Sequence, residues 1–402
     1  MPHLQILPGA DFADRADRYD LVVVGSGIVG LAHASEAHSR GMTVAVVERS
    51  AAISGASVRN FGHVGVTAQS GIAYEYGQVA RSRWEQLSVL ADFWLSDAGT
   101  IVVARTTDEL ALLEEFRATR DGGDVVLLSP ERVAECSPVA ESTVVGGAWL
   151  TRDLQVDPRT AAPRIAEWLA GVGVDFFWRT TVLGVEGTGT TGTTVHTARG
   201  DLRAGHVIVA VNHDIDGLYP GEAAAAEVER CTLEMMSVSA DLVRDLASPL
   251  LTGFSMVRYS GLASLPSAAR VRAQLAETYP ALVPFDVNQM YTQRPGGDLI
   301  VGDTHAVGAA ASPFQSEAAF DGLLEITTAI FGVTELTVRE RWQGVYAKGN
   351  AEFLRFDPSE HVTVASVTAG IGMSTGLGFA ASVMAERFGA VEEIGTAQEL
   401  VT

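Results

Sequence analysis

The segment DLVVVGSGIVGLAHASEAHSRGMTVAVVERS, residues 20–50, constrains the fold of this chain more than any other. It begins with a wholly apolar run at residues 21–24, as in a strand of a parallel sheet that is buried on both faces. A Gly-x-Gly-x-x-Gly motif, a helical pattern over about residues 28–40 and a second apolar strand over about residues 43–47 follow, and an acidic residue comes directly after. This succession predicts a Rossmann-type βαβ unit that binds a dinucleotide.

Each part of this segment has a physical role in holding a dinucleotide. Gly25 permits the tight turn, Gly27 lets the backbone approach a pyrophosphate, and Gly30 lets the helix pack closely on the strand. The helix N-terminus attracts phosphate, and Glu48 is placed to accept hydrogen bonds from a ribose diol. Arg49 suits FAD and NAD equally. An NAD-linked disulfide reductase would carry a second glycine motif and a redox pair of cysteines, and the sequence has neither.

Length and charge exclude several classes of function. With 402 residues, the chain is long enough for two domains or for one large interleaved unit. The formal net charge of -21 argues against nucleic acid and against an anionic membrane surface as partners. An anionic substrate would therefore need a local cluster of positive charge.

Cysteine usage and the start of the chain bear on the compartment. Cys136 and Cys231 form no disulfide framework, and without a Cys-x-x-Cys pair we predict no zinc or other metal site. Residues 1–20 lack a basic segment followed by an apolar one, so we expect no signal peptide. No apolar run reaches the ~18 residues of a membrane helix, so we expect a soluble cytoplasmic protein, either a monomer or a homo-oligomer.

The remaining pattern alternates helices and short strands and shows no repeat and no clear linker. Helices are predicted within residues 71–99, over 107–120 with Thr107 as cap, from Asp157–Pro158 to about 170, over about 316–331, and after a glycine-rich loop at 370–378. Strands are predicted at 101–104, 125–128, 174–178, 180–186, 193–198, 206–211, 232–240, 288–294, 298–306 and 361–368, with a Pro-Gly-Gly turn at 295–297. The order over 174–211 matches the second half of an FAD-type dinucleotide domain with its small β insertion.

Over nearly its whole length the chain resembles the D-amino-acid oxidase/glycine oxidase/sarcosine oxidase family of flavoproteins. The resemblance rests on the N-terminal βαβ unit, the loop SGASVRNFGH at residues 54–63, the late β-meander, and the closing GIGMSTGLG loop at residues 370–378 with its helix. Within that family, the stretches GASVRNFG, VGDTHAVG and RWQGVYAK are most similar to a clade associated with phosphonate catabolism and proposed to oxidise aminophosphonates.

The resemblance implies an α/β fold with an α+β second domain. A glutathione-reductase-type Rossmann FAD-binding domain would comprise residues 17–90, 146–218 and 345–402. It would be interleaved with an antiparallel-sheet substrate-binding domain comprising residues 91–145 and 219–344.

The resemblance also implies that FAD is the cofactor. The helix after the closing loop would point its N-terminus at the pyrimidine side of the flavin, where reduction develops negative charge. Residue by residue, the implied FAD contacts are Gly25, Ser26, Gly27, Ile28, Val29, Gly30, Glu48, Arg49, Ser57, Val58, Arg59, Asn60, Phe61, Gly62, Val182, Gly370, Gly372, Met373, Ser374, Thr375 and Gly376.

Three positions depart from the family pattern. Sarcosine oxidases carry a cysteine that links covalently to the flavin, and Gly344 matches that position, so we expect non-covalent FAD. Where these enzymes place a lysine in the C-terminal loop, this chain has residues 373–375, Met-Ser-Thr. Asn212 and His213 replace the usual small residue and glycine after the strand HVIVAV, so we expect a different backbone there.

The substrate site is predicted around Tyr346 and Lys348. Tyr346 matches the position of the arginine that binds the substrate carboxylate in glycine and D-amino-acid oxidases. Lys348, the only lysine of the chain, is expected in a glycine-flanked turn after a short strand, on the same side as Tyr346. Together they would bind a phosphonate, whose three oxygens and nearly two negative charges suit several separate donors. The alternatives are a half-buried sheet tyrosine and a solvated lysine.

Further candidates lie in the substrate domain and in the flavin-facing loop. Arg258 and Tyr259 are candidate hydrogen-bond donors to the substrate anion, and the alternative is a surface strand pair. His305 follows a predicted buried strand and would face the flavin or the substrate, with a structural histidine as the alternative. Gln69 is a weaker candidate in the flavin-facing loop.

These features predict FAD-dependent oxidation of a primary or secondary amine. Hydride would pass from carbon to flavin N5, the imine would hydrolyse to an aldehyde, and O2 would reoxidise the flavin with release of H2O2. The predicted substrate is a small anionic amine, 2-aminoethylphosphonate or a relative, with Lys348 serving either the substrate anion or oxygen reduction. The alternatives are a glycine/sarcosine-type oxidase, an amine dehydrogenase with another acceptor, and a flavoprotein without oxidase turnover.

Overall fold

The computed structural model describes residues 18–187 and 192–390 of the chain. The prediction that there is no signal peptide concerns residues 1–20, and residues 1–17 lie outside this part. The outer ends of the first and third segments of the predicted FAD-binding domain also lie outside it.

A mixed sheet of 16 strands organises the described part of the chain, beside a second sheet of three strands. The order in the large sheet is β6-β7-β5-β14-β15-β16-β13-β18-β19-β12-β1-β2-β9, with β10, β11 and β17 attached at its sides, and the small sheet is β3-β8-β4. The strands are β1 (Arg18–Val24), β2 (Val44–Val47), β3 (His63–Val64), β4 (Leu95–Ser96), β5 (Thr100–Ala104), β6 (Val125–Leu128), β7 (Gly146–Leu150), β8 (Leu154–Val156), β9 (Asp175–Phe177), β10 (Val182–Gly187), β11 (Thr193–Thr197), β12 (Gly200–Val209), β13 (Glu229–Ala240), β14 (Leu250–Leu251), β15 (Met290–Gln293), β16 (Leu299–Gly302), β17 (Ala306–Gly308), β18 (Leu336–Ser359) and β19 (Val362–Ala369).

The helices pack on both halves of this sheet. They are α1 (Ile28–His38), α2 (Gly71–Leu90), α3 (Thr107–Arg117), α4 (Pro130–Cys136), α5 (Pro158–Gly171), α6 (Pro220–Ala225), α7 (Gly253–Met256), α8 (Ser260–Ala263), α9 (Ala268–Thr278), α10 (Glu317–Phe331) and α11 (Gly372–Phe388). The expected α/β fold is therefore confirmed.

The parallel half of the sheet contains the predicted βαβ unit. Strand β1 lies between β2 and β12, parallel to both, and its residues 21–24 are buried. Helix α1 packs against α11, which in turn packs along α2. The Nε1 atom of buried Trp84 donates to Met373 O at 2.8 Å and so ties α2 to the start of α11. These contacts hold the N-termini of α1 and α11 at one side of the sheet.

Strand β18 joins the parallel half to the antiparallel half. Gly344 lies opposite Leu233 and Tyr346 opposite Cys231 on β13. Lys348 lies opposite Glu229 on β13 and opposite Ala369 on β19. The predicted turn at Lys348 is therefore wrong, because strand pairing on both sides overrides the local preference of the glycines. The predicted domain boundaries stay a prediction, and the one between residues 344 and 345 falls inside this strand.

Helix caps and strand positions mostly follow the sequence. The carboxylate of Asp157 caps α5 as expected, and the hydroxyl of Ser316 caps α10, each accepting from a backbone N–H. The predicted strands are present, and the turn at residues 295–297 connects antiparallel β15 and β16. Thr107 is not the cap of α3, because the side chain of Thr106 accepts from the backbone N–H of the third helical residue. In residues 18–187 and 192–390, no helix is both long and apolar enough to cross a membrane.

We predict that Gly378→Ala destabilises the protein by about 1–3 kcal/mol, the usual cost of overpacking a core. A Cβ atom at Gly378 would lie 2.0 Å from the backbone oxygen of Tyr76, where α11 packs on α2. Gly171→Ala is the matched control, because its Cβ would meet no atom within 4 Å at the end of α5. Denaturant unfolding compares the two variants, and equal midpoints would contradict the close packing of α11 on α2.

Candidate functional site

A cavity of ≈ 570 Å³ opens at the carboxyl ends of the parallel strands and runs to β18. The predicted cofactor residues that line it are Gly25, Ser26, Gly27, Ile28, Val29, Glu48, Arg49, Ser57, Arg59, Asn60, Val182, Gly370, Gly372 and Met373. Gly30, Val58, Phe61, Gly62, Ser374, Thr375 and Gly376, also predicted as contacts, are not in its wall. A single cavity therefore collects most of the residues that the sequence proposed for FAD, and the individual contacts stay predictions.

The glycine turn after β1 leaves room for a phosphate group. Gly25 has φ +105°, and a Cβ atom there would lie 2.5 Å from Ala210 O. A Cβ atom at Gly30 would lie 2.0 Å from Gly25 O, so only glycine lets α1 approach the turn. At the N-terminus of α1, the backbone N–H of Ile28 donates to Ser57 Oγ at 2.8 Å. This helix end presents N–H groups and a partial positive charge to the cavity.

Glu48 is held rigidly at the cavity wall. Its Oε2 accepts from the backbone N–H of Ser26 at 3.0 Å and from the Ser26 hydroxyl at 2.8 Å. Its Oε1 accepts from the backbone N–H of Ser50 at 2.8 Å. A carboxylate has about four lone-pair sites, so the group remains able to accept from a ribose diol.

Two ion pairs lie along the cavity wall between Glu48 and β18. Arg49 pairs with Asp214 at 2.6 Å, and Arg230 pairs with Asp216. Both aspartates line the cavity, and the sequence analysis missed them. Arg49 is thus already paired with a carboxylate of the chain, which favours a cofactor contact through the outer face of its guanidinium.

Asn212 connects this wall to β18. It has φ +57°, a backbone conformation that asparagine tolerates better than most residues. Its Oδ1 accepts from the backbone N–H of Ala347 at 2.7 Å, between Tyr346 and Lys348. The expected difference of backbone from the family stays a prediction, while the Asn212 side chain helps to position the strand that carries the predicted substrate residues.

The flavin-facing loop is held by its own side chains. Arg59 Nη1 donates to Gln343 O at 3.2 Å, and Trp342 Nε1 donates back to Arg59 O at 3.3 Å. Asn60 bridges the loop, because its Nδ2 donates to Ala56 O at 2.8 Å and its Oδ1 accepts from Gly62 N at 2.7 Å. Arg59 and Asn60 thereby fix the loop against β18 while they line the cavity.

The end of the cavity predicted to hold the flavin ring, called the flavin end below, lies between the start of α11 and β18. Gly370 has φ +75°, and a Cβ atom there would lie 2.8 Å from Tyr346 Cζ. Gly344 lines the same end and contributes only backbone. No cysteine is among the residues of the described chain that line the cavity, and non-covalent attachment of the flavin stays a prediction. The glycine turn, the carboxylate of Glu48 and the two helix N-termini together suit FAD.

Tyr346 lies at this end of the cavity, on the side of the antiparallel half, and His305 lies behind it outside the cavity wall. Their rings are 6.4 Å apart, and Tyr346 lines the cavity. Burial raises the pKa of the Tyr346 hydroxyl, and the neighbouring Cys231 raises it further. His305 Nδ1 donates to Asp286 O at 2.9 Å. Burial and the Arg258 charge lower the pKa of His305 to about 3, so this imidazole is neutral.

Arg258 and Tyr259 lie between α7 and α8, so the alternative of a surface strand pair is wrong. Turns of helix form here because the backbone N–H groups of both residues bond Ser255 O. Arg258 pairs with Asp286 at 2.6 Å. The Tyr259 hydroxyl lies 3.5 Å from His63 Nδ1 in the interior. Neither residue lines the cavity wall.

Lys348 and Gln69 lie outside the cavity wall. Lys348 is exposed, two residues along β18 from Tyr346, and its charge lowers the pKa of His305. Gln69 is buried, and its side chain donates to Gly65 O within its own loop at 2.9 Å. The structure therefore places Lys348 near the candidate substrate site and gives Gln69 a contact within its own loop.

The sequence analysis missed a buried carboxyl group in this region. Asp303 is 4% exposed, and burial raises the pKa of its carboxyl to about 7 although the Arg258 charge opposes this. Asp303 precedes His305 by two residues in the motif GDTH, so its position beside a candidate histidine was the available signal.

Comparison with known proteins agrees with this cavity. The chain matches the family model described as "DAO: FAD dependent oxidoreductase" over residues 20–387. A D-amino acid dehydrogenase from Helicobacter pylori is 23% identical over 220 residues, which are 42% of this chain and 53% of the relative. The chain thus spans about half the length of the curated relatives that it matches.

Solved structures share the fold over nearly the whole chain. Glycine oxidase from Geobacillus kaustophilus has a TM-score of 0.74 at 19% identity, covering 95% of this chain and 97% of that one. The dithionite-reduced L-alpha-glycerophosphate oxidase from Mycoplasma pneumoniae with FAD bound has a TM-score of 0.72 at 16% identity, covering 94% of this chain and 97% of that one. With the family model matching residues 20–387, the chain belongs to the DAO family of FAD-dependent oxidoreductases, and its cofactor is FAD.

Proposed function

We propose that the protein oxidises the C–H bond next to the nitrogen of a small amine or amino acid. The observation that carries this proposal is the position of Tyr346, which lines the flavin end of the cavity and lies against a buried group of polar residues. When bound, FAD supplies the two-electron acceptor for such a bond. The chain supplies the binding, the orientation and the exclusion of water around the reacting carbon.

We further propose a small aminophosphonate, such as 2-aminoethylphosphonate, as the substrate. Tyr346 offers a single hydroxyl where carboxylate-binding relatives are expected to carry an arginine. Arg258 is paired with Asp286 at 2.6 Å, which leaves its charge largely neutralised. Lys348 adds a positive charge on the outer side of Tyr346. An acid group with several oxygens and more than one charge suits such separated donors.

A second candidate is the oxidation of glycine, sarcosine or another small amino acid. It is favoured by the likeness of the chain to a protein named D-amino acid dehydrogenase and to the structure of a glycine oxidase. The electron acceptor is proposed to be O2, with release of H2O2. The name dehydrogenase on the first of these relatives makes another acceptor the alternative.

Anaerobic mixing of the FAD-bound protein with different amines decides between these substrates. We expect 2-aminoethylphosphonate to bleach the absorbance at about 450 nm, the band of oxidised flavin, faster than glycine or sarcosine does. Readmission of air should then restore the band and produce H2O2. Bleaching by the carboxylates alone would contradict the aminophosphonate proposal and support the second candidate.

Lys348→Met is expected to raise the KM for 2-aminoethylphosphonate about two- to fivefold, because an exposed charge contributes about 0.2–1 kcal/mol. The FAD content and kcat should stay unchanged, since Lys348 does not line the cavity. Arg339→Met is the matched control, an exposed cation on the same strand at a distance from Tyr346. Equal KM values for both variants would make Lys348 an ordinary surface charge.

A further inference from the structure

Asp303 and Asn288 carry buried oxygens that the fold leaves without partners. Their backbones pair with each other, since Asp303 N donates to Asn288 O at 2.7 Å and Asn288 N donates to Asp303 O at 2.8 Å. Asp303 is 4% and Asn288 8% exposed. Yet the Oδ1 atoms of both side chains have no hydrogen-bond partner within residues 18–187 and 192–390. Other buried side-chain oxygens of the described residues also lack a hydrogen-bond partner, Asp153 Oδ2 and Gln289 Oε1 among them, and each such acceptor calls for a donor.

His305 adds a third acceptor to this pair. Because its Nδ1–H donates to Asp286 O at 2.9 Å, the neutral ring presents the lone pair of Nε2. This Nε2 lies 3.9 Å from Asp303 Oδ2. A donor nitrogen placed between two acceptors at that separation reaches both at ordinary hydrogen-bond lengths of about 2.8–3.0 Å.

The charges around these acceptors add up to a site for one cation. Arg258 and Asp286 neutralise each other in an ion pair at 2.6 Å. His305 is uncharged because burial lowers its pKa to about 3. Ionised Asp303 therefore leaves one negative charge inside this group. Because a lone buried charge is costly, a positively charged partner is favoured there.

The group lies next to the flavin end of the cavity. The His305 ring is 6.4 Å from the ring of Tyr346, which lines the cavity. The Asp303 charge reaches Tyr346 strongly enough to raise its pKa. On the outer side, Lys348 supplies a positive charge two residues along β18. A molecule with an ammonium group at one end and an acid group at the other fits this order.

We propose that Asp303 binds the amino group of the substrate together with His305 Nε2 and the amide oxygen of Asn288, and that its carboxylate takes one proton from the bound ammonium. This rests on the proposed oxidation of an amine. The N–H bond breaks and leaves its electron pair on nitrogen, while an O–H bond forms on Asp303. Both charges disappear in this transfer, which burial favours. The neutral amine then stays hydrogen-bonded beside Tyr346, ready for oxidation at the adjacent carbon.

The titration of Asp303 is set by groups from several elements. Those that face it are Arg258 and Tyr259 between α7 and α8, Asp286 before β15, Cys231 on β13, Tyr346 on β18 and His305 before β17. Burial raises the pKa of Asp303 to about 7, so the carboxylate that binds an ammonium is scarce below neutral pH and predominant above it.

Calorimetric binding of matched ligand pairs tests this assignment. The FAD-bound protein is first reduced with dithionite, so that no turnover occurs, and is titrated with 2-aminoethylphosphonate and with ethylphosphonate. We expect Asp303→Asn to weaken the binding of 2-aminoethylphosphonate at least about tenfold, because a charge-assisted hydrogen bond is lost. The affinity for ethylphosphonate should change less than about twofold, because this ligand has no amino group and its phosphonate does not contact Asp303. Equal losses for both ligands, or no loss for either, would overturn the proposal.

A second pair separates this proposal from the choice of substrate. Suppose that Asp303→Asn weakens the binding of glycine more than the binding of acetate, while the wild-type protein binds neither phosphonate. Asp303 then keeps its role, and the aminophosphonate substrate is wrong. Asp153→Asn is the matched control, because Asp153 is another fully buried aspartate, whose Oδ1 accepts from the backbone N–H groups of Val66 and Thr67. It should change the affinities of both members of a pair alike.

A measurement on wild-type protein covers the case in which Asp303→Asn does not fold. The ligands are 2-aminoethanesulfonate and ethanesulfonate, whose sulfonate keeps one charge throughout the range. We expect the ratio of their affinities to rise about tenfold from pH 6 to pH 8, as Asp303 ionises. A ratio that stays constant or falls would contradict the role of Asp303.

Discussion

The pairing of β18 with β13 on one side and β19 on the other is the constraint on which the site depends. This strand belongs to both halves of the sheet, so it brings residues of the antiparallel half to the carboxyl ends of the parallel strands. Gly344 and Tyr346 reach the cavity because their register with Leu233 and Cys231 is fixed. Asn212 adds a side-chain bond to the same strand at Ala347. A shift of one residue would turn Tyr346 away from the cavity.

Close approach of backbone to backbone shapes the cofactor end, and burial of charge shapes the substrate end. Glycines at positions 25 and 30 leave a turn that a side chain would fill. Beside the other end, outside the cavity wall, Arg258 and Asp286 neutralise each other, and Asp303 remains as a buried carboxyl with one oxygen without a partner in the described chain. The cofactor end is therefore shaped by the absence of side chains. The region of Asp303 is shaped by charges that do not fully balance.

Short sequence patterns predicted the parts of the site that depend on residues close together in the chain. The glycine motif, the acid at Glu48 and the helix cap at Asp157 depend on neighbours in sequence, and the structure has them where expected. Lys348 was predicted in a turn because its flanking glycines are a local signal, whereas its strand pairs lie far away in sequence.

The substrate side depended on contacts that sequence spacing does not reveal. Arg258 was taken as an anion donor, but its charge is committed to Asp286, 28 residues further on. The raised pKa of Asp303 arises from complete burial between strands that are distant in the chain. The cofactor was therefore predictable from the sequence, while the charge balance around Arg258 and Asp303 required the fold.

A crystal structure of the protein with its cofactor bound tests the central claim most directly, that one cavity is built for non-covalent FAD and ends at the substrate side. The adenine should lie at the end near Glu48 and Val182, and the flavin ring should lie against Gly344 and Tyr346 without a bond to the chain. A flavin ring at the opposite end, or one joined covalently to a side chain, would contradict the account.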